Sequence, residues 1–213
     1  MTTADTTDTT LLRPHAEQRY ADELAALERC DERTRPANWR LSPWAVVTYL
    51  MGGTLEDGTV ITPKYVGSRR LMEIAVATLA TDRALLLLGV PGTAKSWVSE
   101  HLAAAVCGTS TLLVQGTAGT AEEAVRYGWN YARLLAQGPS QEALVPSPVM
   151  EAMGSGRIAR VEELTRMPSD VQDAPSIPLL VLLTFLVFLA LLAFTPFYHS
   201  NGSFINRFDY KIE

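Results

Sequence analysis

Apolar positions at intervals of three and four mark the first element. Tyr20, Leu24, Leu27 and Cys30 share one face of a helix predicted from about His15 to Arg33. Before it, the threonine-rich run of residues 1–13 holds too little apolar surface to order itself and reads as a disordered arm. Ser42-Pro43 supplies an N-cap and a first helical residue, and Gly52-Gly53 closes that helix. In TLEDGTVITP, Asp57-Gly58 between two β-compatible runs predicts a hairpin. A further helix is expected from about Ser68 to Ala80, presenting Leu71, Ile74, Ala75 and Leu79 on one side.

The pattern then changes. Ala84 to Leu88 is continuously apolar, as a strand buried on both faces of a parallel sheet would be. A helix over Lys95–Val106 and a strand over Thr111–Gln115 follow. Thr120-Ala-Glu-Glu123 has the form of a capping box and predicts a helix to about Ala136, stopped by Gly138-Pro139. Strand and helix in alternation predict an α/β domain built on a parallel sheet.

Composition divides the chain again near its end. All 6 phenylalanines lie beyond Ala174, whereas the preceding sequence is rich in Ala, Arg and Glu. From Pro175 to Phe197 there is no charged residue, and the stretch of about 177–197 is long and apolar enough for a transmembrane-like helix. Two readings of residues 175–213 remain open: a segment substituted for the native one by a frameshift, rearrangement or assembly fault, or a genuine membrane anchor. Elsewhere the net charge of −5 argues against a general nucleic-acid binder, and 2 cysteines fit a reducing compartment, hence a cytoplasmic location unless the tail anchors the chain.

Between the apolar strand and its helix stands Gly89-Val-Pro91-Gly92-Thr93-Ala94-Lys95-Ser96. The spacing is that of a phosphate-binding loop, G-x-x-x-x-G-K-[ST], with alanine in place of the last glycine. Gly89 and Gly92 allow the tight turn that aims backbone N–H groups at phosphates, and the helix beyond adds its positive end. Lys95 is placed to reach the β- and γ-phosphates, and the Ser96 hydroxyl to ligate Mg²⁺. Ala94 is the departure, because its methyl restricts angles that glycine accepts.

The loop resembles that of the MoxR-like branch of the AAA+ ATPases, a dynein-related AAA type, in which G-x-P-G-x-A-K-S is familiar. Tyr65-Val66-Gly67 ahead of a helix is similar to the segment that lies near the adenine in that family. Gly156 to Ala174, GRIARVEELTRMPSDVQDA, resembles its Walker B block. The resemblance covers about residues 14–174. It implies a helical and hairpin segment over 14–64 and a P-loop NTPase sheet with flanking helices over 65–174. Gly89, Pro91, Gly92, Thr93, Ala94, Lys95, Ser96 and Trp97 would form the nucleotide-binding set, Trp97 reading as a core or packing residue before a base-stacking platform. Ser96 and Glu162 would hold Mg²⁺, and Glu163 would activate water. Glu162 stands where aspartate is usual, and Arg157 and Arg160 interrupt a strand that is usually apolar.

What the family implies is ATP hydrolysis between subunits of a ring, usually a hexamer, and chaperone-like work beside von Willebrand factor A domain partners. The sensor strand, arginine fingers and lid have no visible counterpart, so the core is expected to be incomplete. Its first strand would lack both neighbours, and nucleotide binding is a firmer expectation than turnover. The rival from another class is a single-span, membrane-anchored adaptor without ATPase activity; a nucleotide kinase is a second enzyme alternative, which the Glu-Glu block disfavours.

Overall fold

The computed structural model describes residues 13–173 and 181–185. Its helices are α1 (Ala16–Arg19), α2 (Ala21–Cys30), α3 (Pro43–Met51), α4 (Arg69–Ala80), α5 (Lys95–Cys107), α6 (Tyr131–Gln137), α7 (Pro148–Ser155) and α8 (Ser169–Asp173). Its strands are β1 (Gly53–Thr54), β2 (Val60–Ile61), β3 (Leu85–Leu88), β4 (Leu113–Gln115), β5 (Tyr127–Trp129), β6 (Leu144–Pro146), β7 (Ala159–Glu162) and β8 (Val181–Phe185).

A parallel sheet in the order β3-β8-β7-β4 forms the centre, and β1-β2 and β5-β6 are antiparallel hairpins. Strand β7 shows how the two layers arise. Ala159 and Val161 join an apolar cluster with Val149 and Ala152 of α7, and Met167 and Val171 beyond. The intervening Arg160 turns to the other face, toward α5. On that side α2, α3, α4 and α5 share a second core around Leu24, Leu27, Tyr49, Leu79 and Leu102. Ser42 caps α3 as expected, its hydroxyl accepting from the Ala45 amide at 3.2 Å.

Several expectations are corrected. The helix foreseen from Thr120 to Ala136 is instead a 3-10 turn at Glu122–Ala124, then β5, then the short α6. Thr120 Oγ1 serves the loop before it, accepting from the Thr117 amide at 2.8 Å. Gly128 and its aromatic neighbours pair with Leu144–Pro146, and Asn130 starts α6 by accepting from the Arg133 amide. On α4 the buried side is Met72, Ala75, Val76 and Leu79, while Leu71 and Ile74 are exposed. Strand β3 is buried less than its apolar run suggests: Leu86 and Leu88 are 49% and 53% exposed, because alternate residues point to opposite faces and the face that carries these two is open.

The expectation that β3 would lack both neighbours is also corrected. Strand β8 pairs with it in parallel, Leu85 opposite Leu182 through Leu88 opposite Phe185, and pairs on its other side with β7. Residues 181–185 belong to the stretch expected as a membrane-spanning helix, and they form a strand; the rest of that stretch lies outside the described residues. Among the described residues no helix is long and apolar enough to cross a membrane. Residues 1–12 of the expected arm are likewise outside, and Arg13 pairs with the buried Glu100 of α5.

Candidate functional site

The segment between β3 and α5 turns through two left-handed residues. Gly92 has φ 82°, and Ala94 has φ 58° and ψ 26°. Ala94 is therefore an L-residue where glycine would be relaxed, at a cost of about 1–2 kcal/mol. No side chain caps α5 at this end. The amides of its first turn are left as donors facing the loop, where the helix dipole also favours an anion. Lys95 lies back over the loop, Nζ donating to the Val90 carbonyl at 2.7 Å and to Thr93 Oγ1 at 3.3 Å. Thr93 Oγ1 donates to the same carbonyl at 2.8 Å.

At the other side of the opening, β7 ends in the acidic pair. Glu163 takes a left-handed conformation, φ 54° and ψ 40°, which breaks the strand alternation. A cavity of about 300 Å³ is lined by Pro91, Gly92, Ala94, Lys95, Ser96, Trp97 and Glu163. Glu163 also accepts from exposed Arg166 at 3.2 Å. Glu162 is not part of that lining. Its Oε1 accepts from Arg160 Nη1 at 3.0 Å on the face toward α5.

Arg160 is buried and held through Nε and Nη1. Its Nε donates to the Ser110 carbonyl at 3.1 Å, and Nη1 reaches Ser99 Oγ at 3.1 Å and the Ser96 carbonyl at 3.4 Å. Burial lowers the pKa of its guanidinium, and Glu162 opposes that shift. Two residues apart on one strand, Arg160 and Glu162 necessarily share a face. That spacing was the sequence signal for the pair, although the arginine read only as an interruption.

Gly116 was missed altogether. Its amide donates to the Glu162 carbonyl at 2.8 Å, and a Cβ at this position would clash with the Glu163 carbonyl oxygen. The close approach of two backbones is what makes glycine necessary here.

Behind the loop, Trp97 Nε1 donates to the Lys64 carbonyl at 2.7 Å, tying α5 to the segment Tyr65-Val66-Gly67. His101, one turn on, is fully buried with Nδ1 2.9 Å from the Tyr49 hydroxyl and its ring packed on Trp97. Burial, reinforced by Lys64 and Arg13, lowers its pKa to about 3, so it is a neutral packing residue at ordinary pH. A second cavity, of about 330 Å³, lies beside the loop between α4 and β3, where Tyr65, Ile74, Leu86 and Lys95 line it.

The donor set suits a phosphate ester with a divalent ion: helix-end amides, one ammonium lying over the loop, one exposed hydroxyl and two carboxylates at the end of the strand. Among the described residues no group of three or more His, Cys, Asp and Glu could hold a metal ion unaided. Magnesium commonly takes one or two protein oxygens and completes its shell with phosphates and water; Ser96 lines the cavity, and Glu162 lies outside that lining with its Oε2 free of the Arg160 bond.

The chain from β3 onward also matches a known family: residues 84–179 fit the model described as AAA domain (dynein-related subfamily). That match supports an AAA+ ATPase domain here. It accounts for the P-loop type of α/β sheet, and it extends past Ala174, the boundary suggested by composition. The chain is also 47% identical over 163 residues to the "Uncharacterized protein YehL" of Escherichia coli (strain K12), covering 76% of this chain and 44% of that protein. The chain thus spans less than half the length of this relative. Nucleotide binding and ATPase-type chemistry are properties of the AAA+ class as a whole.

Proposed function

We propose that the AAA+ domain binds Mg²⁺-ATP at the loop joining β3 to α5 and hydrolyses it, as part of a MoxR-like, chaperone-type ATPase. In this reading the backbone of Gly89, Pro91, Gly92, Thr93 and Ala94 wraps the phosphates, with Trp97 bordering the site. Lys95 exchanges the neutral Val90 carbonyl for anionic phosphate oxygens, so that its ammonium meets a full opposite charge. Ser96 and Glu162 would hold a magnesium ion, which would supply positive charge beside the phosphates. Glu163 orients the attacking water and accepts its proton.

The observation that carries the reading is the convergence of Lys95, Ser96 and Glu163 on one cavity at the N-terminus of α5. A ring of identical subunits, usually six in this branch, and a von Willebrand factor A domain partner belong to the same proposal.

Lys95→Ala tests it. Titration with a fluorescent ATP analogue should show affinity falling at least about tenfold, since removing the cation leaves phosphate charge uncompensated. Equal affinity in the variant and the parent rejects the assignment. Glu163→Gln should bind as the parent does and lose turnover; retained turnover removes Glu163 from the role of base.

A further inference from the structure

The guanidinium of Arg160 stands between the two residues assigned to magnesium. Its Nη1 is 3.0 Å from Glu162 Oε1 and 3.4 Å from the Ser96 carbonyl oxygen, with Ser99 Oγ at 3.1 Å. The side chain is 6% exposed and Glu162 14%, so solvent screens the pair little. The arginine cannot swing away cheaply, because Nε is also held by the Ser110 carbonyl. One fixed positive charge is thus built into the end of the strand, beside the carboxylate that would meet a divalent cation.

We propose that Arg160 is a positioning residue and resident counter-ion for Glu162: it occupies one carboxylate oxygen and weakens the hold of the nucleotide site on Mg²⁺. This rests on the nucleotide-binding reading above. The physical case has three parts. A buried carboxylate without a partner is costly, and Arg160 supplies that partner whether or not an ion is bound. With Oε1 engaged, Oε2 alone is left for the ion or its water shell. A second cation approaching this carboxylate meets the guanidinium's repulsion in a medium of low effective dielectric.

Glutamate in place of aspartate fits the same arrangement. The extra methylene lets the carboxylate meet an arginine two residues earlier on its own strand face. An aspartate would be drawn back toward the backbone and away from Nη1.

The test is the Mg²⁺ dependence of nucleotide binding, read with a fluorescent ADP analogue in EDTA and then across a Mg²⁺ titration. Arg160→Gln keeps a hydrogen-bonding side chain and removes the charge. Its Mg²⁺ midpoint should fall on the order of tenfold below the parent's, with affinity in EDTA changed less than about twofold. Arg160→Lys restores charge and should return the midpoint toward the parent value. A purely structural role would lower affinity in EDTA and in Mg²⁺ together and leave the midpoint in place, which overturns the proposal.

Should Arg160→Gln fail to fold, Glu162→Asp carries the test. Release from Arg160 should lower its midpoint too, and an unchanged or higher midpoint overturns the proposal. A parent chain that binds no nucleotide overturns the functional reading itself. A parent that binds, with variants of unaltered midpoint, overturns the counter-ion role alone.

Discussion

The amide of Gly116, at the end of β4, donates to the carbonyl of Glu162 at 2.8 Å, and its α-carbon packs against the peptide that follows. The two strand ends are thereby sewn together where the acidic pair begins. A methyl group here would meet backbone oxygen, which cannot rotate aside as a side chain can. Gly116→Ala is expected to destabilise the fold by about 1–3 kcal/mol and to move Glu163 away from the loop. Urea unfolding should show the loss, and nucleotide affinity should fall with it. A variant as stable as the parent would mean that the approach is looser than described.

Ala94 offers a change of the opposite sign. At φ 58° it carries a left-handed strain that glycine would not. Ala94→Gly is expected to stabilise the domain by roughly 0.5–1 kcal/mol after the entropy of the freer unfolded chain is deducted. A thermal melt would register this as a rise of a few degrees. A fall would show that the surrounding turns already favour the alanine.

How far the sequence foretold this site depends on the kind of signal. The phosphate loop was legible because its function is written in local backbone chemistry: glycines, a lysine and a hydroxyl at fixed intervals between a strand and a helix. Ser42-Pro43 and Gly52 likewise bounded α3 correctly. The same signature, Ser147-Pro148 closing at Gly156, starts and ends α7. Thr120 misled because its hydroxyl has a competing local use, bonding Thr117 and leaving Glu122–Ala124 as a single turn. Gly116 and Arg160 act through neighbours far along the chain, and spacing alone does not reveal a contact with Glu163 or Ser99. Strand β8 was hidden for a different reason, since a fully apolar run satisfies both a bilayer and the interior of a sheet.

His101 gives the fold a pH dependence. Its pKa is lowered from 6.5 to about 3 in the folded chain, so between these values the unfolded state binds the proton and the folded state does not. Stability therefore falls as pH drops from about 6.5 toward 3, by up to ~1.4 kcal/mol per unit from this group. His101→Gln removes the titration. The difference in stability between parent and variant should shrink as pH is lowered from 7 to 5, measured by urea unfolding. Parallel curves would show that His101 takes up its proton without leaving the core.

The buried ion pair behind the loop invites a double-mutant cycle. Lys64 is 1% exposed at its side chain, donates to Glu23 Oε2 at 2.7 Å and to Thr62 Oγ1 at 2.9 Å, and lies over the rings of Tyr20 and Tyr49. Its pKa is lowered by burial, and Glu23 resists that shift. Glu23→Gln leaves the ammonium buried without its counter-charge and is expected to cost about 3 kcal/mol. Lys64→Met should cost less, because Glu23 can reach water and still accepts from the Thr62 amide at 3.0 Å. The double variant should recover much of the loss seen in Glu23→Gln, giving a coupling of about 1–3 kcal/mol. Additive costs would mean that the rings and Thr62, and not the carboxylate, hold Lys64 in place. The carbonyl that receives Trp97 belongs to Lys64 itself. Glu23→Gln should therefore also loosen the start of α5, and faster amide exchange over the first turn of that helix would register it.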